Sequence, residues 1–215
     1  LEAPVVRYHG ERLGRARGLR RQRQRRERAE RGGPRRARER GAAWSPDGKQ
    51  IAFVRMAPPG ASAGAIYLMS PLGGPARRLS DLSVFRYGLS WSPDGHWLAA
   101  TNAREAGGPG GIHVIPAGGG EPHPVTFPKP PYQDFYPTFS PSGRALAFFS
   151  CRQFRERCDL QVAPLDSELR PAGAPRRLPP QKLDGYGLAW TRDGRTILYG
   201  VVYDRLWRVR ADGAS

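Results

Sequence analysis

Cysteine and methionine are scarce in this chain, which has two of each among 215 residues. No apolar run approaches the roughly 18 residues that a membrane-spanning helix needs, so we expect no membrane span. The four histidines show no metal-ligand spacing, and we expect neither a metal nor a cofactor. The chain starts at Leu1, without Met and without the apolar stretch of a signal peptide, so we interpret it as a piece of a longer protein.

Lysine is absent from the first forty residues, which instead hold 15 Arg and 5 Glu. Residues 1–40 therefore carry +10 of the formal net charge of +16. Three interpretations stay open for this low-complexity segment: a basic arm that binds phosphates of nucleic acid or membranes, a disordered tail, or a GC-rich gene read in the wrong frame. No aromatic side chain stands among the arginines of 10–40 to stack on bases. Nucleic acid is thus a candidate partner only through this segment.

One turn motif recurs four times in the rest of the chain. Its copies are Trp44-Ser45-Pro46-Asp47-Gly48, Trp91-Ser92-Pro93-Asp94-Gly95, Phe139-Ser140-Pro141-Ser142-Gly143 and Trp190-Thr191-Arg192-Asp193-Gly194. The aromatic residues are 47, 48 and 51 positions apart. A nearly constant period of this length indicates a propeller or a solenoid.

Each position of the motif has a structural role in a hairpin turn. Proline sets the first corner, the Asp or Ser side chain bonds to nearby backbone, and glycine takes the left-handed position. The aromatic residue ends a strand and points into the layer between neighbouring sheets. We therefore expect these residues to be structural: Trp44, Pro46, Asp47, Gly48, Trp91, Pro93, Asp94, Gly95, Phe139, Pro141, Gly143, Trp190, Asp193 and Gly194.

Apolar segments rich in β-branched and aromatic residues follow every turn. They read IAFV, LAAT, LAFF and ILYG, and a second strand and a short outer strand come after them. Four strands in about 47 residues predict an all-β fold, a partial β-propeller of about four four-stranded blades. The predicted blades span 41–82, 83–128, 129–181 and 182–215, and the last of them is incomplete.

The repeat of aromatic-Ser-Pro-Asp-Gly, an IAF-type strand and an IY- or LW-type strand resembles the TolB-like, WD-repeat-like propeller repeats of bacterial proteins. Similar repeats occur in the propellers of prolyl oligopeptidases and dipeptidyl peptidases. The resemblance covers residues 41–215, although Ser142 and Arg192 depart from the usual Pro-Asp pair. It implies a non-catalytic binding or scaffold module for protein or peptide partners. The alternatives are the gating propeller of a serine peptidase and the sensory propeller of a bacterial transcriptional regulator or kinase.

No catalytic set is predicted from the residues of this chain. Asp47, Asp94 and Asp193 occupy equivalent turn positions in separate blades, so turn capping explains them better than paired catalysis. The segment 60–64 matches the G-x-S-x-G nucleophile elbow, but that elbow requires a strand that turns into a helix. Here the five residues lie between two predicted strands, which favours a hairpin loop.

Cys151 and Cys158 flank a six-residue loop between two predicted strands. A disulfide, two free thiols and a metal site are all considered, with the disulfide favoured because cross-strand positions come within bonding range. A disulfide would indicate the periplasm or another extracytoplasmic location, whereas a regulator would be cytoplasmic.

A short aromatic and acidic cluster precedes the third turn. Its members are Tyr132, Asp134, Phe135 and Tyr136. In a propeller such a stretch can border the central channel or one face, so we predict it as a binding region. Ordinary packing between blades is the alternative.

Overall fold

The structure is a computed structural model that describes residues 38–56, 61–103, 110–153, 156–179, 185–201 and 206–213. These residues form strands and turns without a helix, as predicted. Most of the Arg-rich segment, residues 1–37, lies outside the described residues, and so do the predictions made for it. Its last three residues, 38–40, are part of the first strand.

Within the described residues, sixteen strands form four antiparallel sheets, one for each predicted repeat. The first sheet contains β1 (Arg38–Trp44), β2 (Ile51–Met56), β3 (Ala63–Met69), β4 (Arg77–Arg78) and β5 (Val84–Phe85). The second contains β6 (Ser90–Trp91), β7 (Trp97–Thr101), β8 (Ile112–Pro116) and β9 (His123–Pro124). The third contains β10 (Gln133–Phe139), β11 (Ala145–Gln153), β12 (Glu156–Pro164) and β13 (Arg176–Arg177). The fourth contains β14 (Gly185–Trp190), β15 (Thr196–Val201) and β16 (Leu206–Arg210).

The sheets pack side by side in chain order, as the blades of a propeller do. This arrangement confirms the predicted partial propeller of about four blades. The fifth strand of the first sheet, β5, was not predicted, because it lies within the stretch assigned to the second blade. It pairs with the start of β3, where Gly64 stands opposite the fully buried Val84.

Each sheet has two faces, because successive side chains of a strand point to opposite sides. We call the face that packs on the preceding sheet the upstream face, and the face that packs on the following sheet the downstream face. In the first junction, downstream Ala52, Val54, Ile66 and Leu68 pack on upstream Trp91, Leu98, Ala100 and Ile115. The core therefore consists of layers between sheets.

The other two junctions repeat this arrangement with larger side chains. Phe148 on the upstream face of the third sheet packs against Ile112 and Val114 of the second. Phe149, its neighbour in β11, points the other way and meets Tyr199 of the fourth sheet, with ring centroids 6.2 Å apart. Both phenylalanines are buried completely or almost completely, and each such burial stabilises the fold by roughly 1.5–3 kcal/mol.

The aromatic residue of the repeat also makes a hydrogen bond across each junction. The Trp91 indole N–H donates to the carbonyl of Ala43 over 3.1 Å, and the Trp190 indole N–H donates to the carbonyl of Thr138 over 3.1 Å. Phe139 has no such group, and its backbone N–H instead donates to the Ser90 hydroxyl over 3.1 Å. In all three cases the acceptor lies on the preceding sheet, in the residue directly before the aromatic residue of that sheet's own turn motif.

Every sheet has a residue with positive φ three positions before its aromatic residue, within the first strand of three sheets and just before β6 in the second. These residues are Gly41, Gly88, Tyr136 and Gly187, with φ of 59°, 77°, 56° and 61°. Strand register shifts at this point in β1, β10 and β14, which marks a β-bulge. Glycine suits the left-handed region, whereas a residue with a Cβ costs about 1–2 kcal/mol there.

Candidate functional site

The four Ser-Pro-Asp-Gly-type turns are closed by the hydrogen bonds of their own side chains. In the first turn the Ser45 hydroxyl donates to Asp47 Oδ1 over 2.7 Å, and the backbone N–H of Lys49 donates to the same oxygen over 3.0 Å. The second and fourth turns repeat both bonds with Asp94 and Asp193. In the third turn Ser142 replaces the aspartate and contacts Ser140 over 3.1 Å.

These hydrogen bonds act on the carboxylates of the turns. The bond from the Ser45 hydroxyl and then the backbone N–H of Lys49 lower the pKa of Asp47, and Thr191 and Arg195 lower the pKa of Asp193 in the same way. Each aspartate is thus engaged by its own turn, in a separate sheet. Among the described residues no group of three or more His, Cys, Asp or Glu side chains is arranged to hold a metal ion.

The two cysteines stand directly opposite each other in β11 and β12. A disulfide joins Cys151 to Cys158, and both side chains are buried against the fourth sheet. The bond closes the hairpin between these strands.

The G-x-S-x-G match begins at Gly60, which lies outside the described residues. Its last two residues, Ala63 and Gly64, are part of β3. The described chain continues here as a strand and not as a helix, so the local geometry differs from that of a nucleophile elbow.

A cleft of about 440 Å³ lies between the second and third sheets. One wall is the chain that follows the outer strand of the second sheet, residues 125–129. The other wall is the upstream face of the third sheet, with Asp134, Phe148, Ser150 and Gln161, and the segment 171–177. A cleft of this size can hold a small ligand or a few residues of a peptide.

Asp134 is the buried polar group of this cleft, and only 2% of its surface is exposed. Burial raises the pKa of its carboxyl to about 6, although hydrogen bonding with the Thr126 and Ser150 hydroxyls acts in the opposite direction. Its backbone N–H donates to the Gly110 carbonyl over 2.9 Å, which ties β10 to the segment directly before β8. Its Oδ1 is buried and has no hydrogen-bond partner within the described part of the chain.

The strand register places further polar groups beside Asp134. Ser150 stands opposite Asp134 in β11, and Asp159 stands opposite Ser150 in β12. Asp159 is buried and forms an ion pair over 3.3 Å with Arg177, whose side chain is half exposed. A row of hydrogen-bonding groups therefore runs across the upstream face of the third sheet toward a basic side chain.

Two aromatic side chains and one lysine lie at the mouth of the cleft. Phe127 is 70% exposed and Tyr132 is 38% exposed, although both are large and apolar. Lys129 lies between them in the sequence and also lines the cleft. Exposed aromatic rings around a recessed polar group are typical of binding surfaces.

The predicted binding cluster is divided by the structure. Tyr132 and Asp134 line the cleft together. Phe135 belongs to the core between the third and fourth sheets, where its ring lies 5.7 Å from that of Phe85. Tyr136 occupies the left-handed position of its strand, and its ring lies 6.0 Å from that of Tyr87.

Sequence reasoning missed the other side chains of the cleft. Phe127 and Lys129 belong to the stretch FPKPPY at 127–132, in which aromatic and basic residues alternate with prolines, and this pattern is a visible signal. Thr126 and Ser150 have no such signal, because only strand pairing brings their hydroxyls to Asp134.

The described residues include no helix with the length and apolar character to cross a membrane. Comparison with protein-family models finds no match, and comparison with curated proteins finds none either.

Solved structures of propeller proteins are similar to this chain. The putative TolB from Agrobacterium tumefaciens is 24% identical with a TM-score of 0.65, over 83% of this chain and 60% of that one. TolB from Acinetobacter baumannii is 22% identical with a TM-score of 0.64, over 80% of this chain and 40% of that one. Prolyl oligopeptidase B from Galerina marginata, bound to a 25mer macrocyclization substrate, is 20% identical with a TM-score of 0.57, over 76% of this chain and 26% of that one.

The chain thus spans less than two thirds of each of these proteins. Sequence identities of 20% to 24% show a similarity of fold and not a shared activity. Together with the four sheets and their repeated junctions, they show that the chain has a TolB-like β-propeller fold.

Proposed function

We propose that the protein is a non-catalytic binding module that takes a peptide segment of a protein partner in the cleft between the second and third sheets. The observation that carries the proposal is Asp134, whose buried Oδ1 lies without a partner among the described residues at a cleft with an aromatic mouth. A buried polar atom without a partner is costly, and a ligand that hydrogen-bonds to it would remove that cost.

A peptide fits the remaining chemistry of the cleft. Its backbone amides can pair with the carboxyl of Asp134 and with the side-chain amide of Gln161. Apolar side chains of the peptide can pack on Phe148 and on the exposed ring of Phe127. Lys129 at the mouth favours a peptide that also carries an acidic residue.

The test begins with a phage-displayed library of random dodecapeptides, selected on the 215-residue chain. Calorimetry then measures how enriched peptides bind the wild type, Phe127→Ala, Asp134→Asn and the control Asp81→Asn. Asp81 carries an exposed carboxylate near Arg78, away from the cleft. We expect both cleft variants to weaken binding by about tenfold or more and the control to leave it unchanged. Failure to enrich any peptide, or equal binding by all four proteins, would contradict the proposal.

A second candidate function is the propeller of a prolyl peptidase. The likeness to prolyl oligopeptidase B, which covers 76% of this chain, supports it. The full-length gene product would then hydrolyse a fluorogenic peptide that contains proline. Absence of that hydrolysis counts against this candidate.

We place the protein outside the cytoplasm, with the periplasm as the first choice. The disulfide between Cys151 and Cys158 supports this location, because such bonds persist in oxidising compartments. Alkylation of intact cells with a thiol reagent, followed by mass spectrometry, tests the proposal. Alkylated cysteines in the isolated protein would speak for a reducing compartment.

A further inference from the structure

The neighbours of Asp134 hold its carboxyl as a hydrogen-bond acceptor. The backbone N–H of Ile112 donates to the hydroxyl oxygen of Thr126 over 2.8 Å, so the proton of that hydroxyl is available to another acceptor. The hydroxyls of Thr126 and Ser150 both hydrogen-bond with the Asp134 carboxyl. Both neighbours can therefore act as donors, and the oxygen without a partner, Oδ1, is open to a ligand group that donates.

The carboxylate of Asp134 also lacks a positive partner within the described part of the chain. Its pKa responds to burial and to two hydroxyls, and no positive charge is among these influences. Arg177, on the facing wall of the cleft, is engaged by Asp159 over 3.3 Å. Lys129 lies at the exposed rim. Because a buried charge without a counter-charge is more costly than a neutral polar group, a cationic donor stabilises this site more than an amide does.

The surroundings of Asp134 limit the shape of the group that can reach it. The carboxyl lies at the recessed end of the cleft, where 2% of the residue is exposed. Phe148 lies on the same face of the third sheet, and the rings of Phe127 and Tyr132 stand at the mouth. An unbranched alkyl chain can pack along aromatic rings and carry a charge at its end, and such rings also attract cations. Shape and charge thus favour the same kind of group.

We propose that the group of the bound peptide that docks on Asp134 is a primary ammonium, an inference that rests on the peptide-binding function proposed above. A peptide has two sources of this group, the side chain of a lysine and the free amino terminus, and both are slender. Lys129 at the rim then remains available for an acidic residue of the same peptide. The cleft therefore selects a peptide that carries a positive group at its buried end and a negative group near the surface.

The peptides enriched from the dodecapeptide library provide the test. Each is synthesised unmodified, with an acetylated amino terminus, with lysine replaced by norleucine, and with both changes. Norleucine keeps the alkyl chain of lysine and removes the ammonium group. Calorimetry at about pH 7.5, above the pKa of Asp134 of about 6, measures binding to the ionised carboxylate. We expect one of the two changes to weaken binding by about thirtyfold or more, and the effective change identifies the source of the ammonium.

The Asp134→Asn variant shows whether this ammonium pairs with Asp134. In that variant the effective change should weaken binding by less than about threefold, because the carboxylate that pairs with the ammonium has been removed. In the control Asp81→Asn, which removes an exposed carboxylate away from the cleft, the full loss should persist. Circular dichroism of each variant checks that the sheets are intact.

The outcomes separate this inference from the proposed function. Peptides that need Phe127 for binding but keep their affinity in all four forms would overturn the inference and leave peptide binding by the cleft in place. A full loss that persists in Asp134→Asn would also overturn it, because the ammonium would then pair with another group. A selection that enriches no peptide would overturn the proposed function, and this inference with it.

Discussion

Replacement of Asp134 by asparagine should remove one identifiable part of the pH dependence of stability. The carboxyl is 2% exposed, and burial raises its pKa from an ordinary 3.8 to about 6 in the folded protein. Since the folded state holds this proton more tightly than the unfolded chain does, protonation stabilises the fold. The contribution is fully present below pH 3.8 and is lost as pH rises through about 6.

The size of this contribution follows from the two pKa values of Asp134. A change of one in pKa corresponds to about 1.4 kcal/mol, so a rise from 3.8 to about 6 corresponds to about 3 kcal/mol of unfolding free energy. Asparagine has nearly the same shape and no charge. The variant should therefore match the wild type near pH 4 and exceed it above pH 7, by up to about 3 kcal/mol less any weakened hydrogen bonds.

Urea unfolding followed by tryptophan fluorescence from pH 4 to pH 8 measures the effect. The quantity of interest is the difference in unfolding free energy between Asp134→Asn and wild type. The turn aspartates Asp47 and Asp193, whose pKa values are lowered, lose stability toward acid in both proteins and cancel in this difference. A difference that stays constant with pH would refute the reasoning.

The other predictions concern the junctions, the bulges and the disulfide. Trp91→Phe loses the indole donor to the first sheet and should lower the unfolding free energy by about 1 kcal/mol in urea titration, while Trp44→Phe at its exposed position should not. In Gly187→Ala the new Cβ meets no atom within 4 Å, so the variant should lose only the about 1–2 kcal/mol of unfolding free energy that a left-handed backbone costs a residue with a Cβ. In Gly88→Ala the new Cβ would lie 2.8 Å from the Tyr136 Cα, so the loss should be larger. Equal losses in urea titration would contradict this ranking. The disulfide closes a hairpin with a sequence separation of 7, and its reduction should lower the free energy of unfolding by about 2–3 kcal/mol. Thermal melting with and without a reductant measures this, and an unchanged melting curve would contradict it.

Much of the fold could be predicted from the sequence because the repeat is local. The turn at Ser92 and Asp94 is closed by bonds between residues two to five apart, so its chemistry is visible in the letters themselves. The strand after the turn is equally visible from its apolar residues. A further recurring signal is a glycine three positions before the aromatic residue, at Gly41, Gly88 and Gly187, where the backbone has positive φ.

The sequence by itself thus determined most of the strands, the turns and the count of sheets, since these depend on contacts within one repeat, whereas β5 pairs with a strand of the repeat before it. Only the tertiary structure decided which side chains share a site. Asp134, Thr126 and Ser150 meet because two sheets pack with a particular register, and their spacing in the sequence carries no trace of it. The structure likewise separated Phe135 from Tyr132, because alternate residues of a strand point to opposite faces. It also distinguished Trp44 from Trp91, which occupy the same position in the motif, because Trp91 is buried against the first sheet whereas Trp44 is 61% exposed.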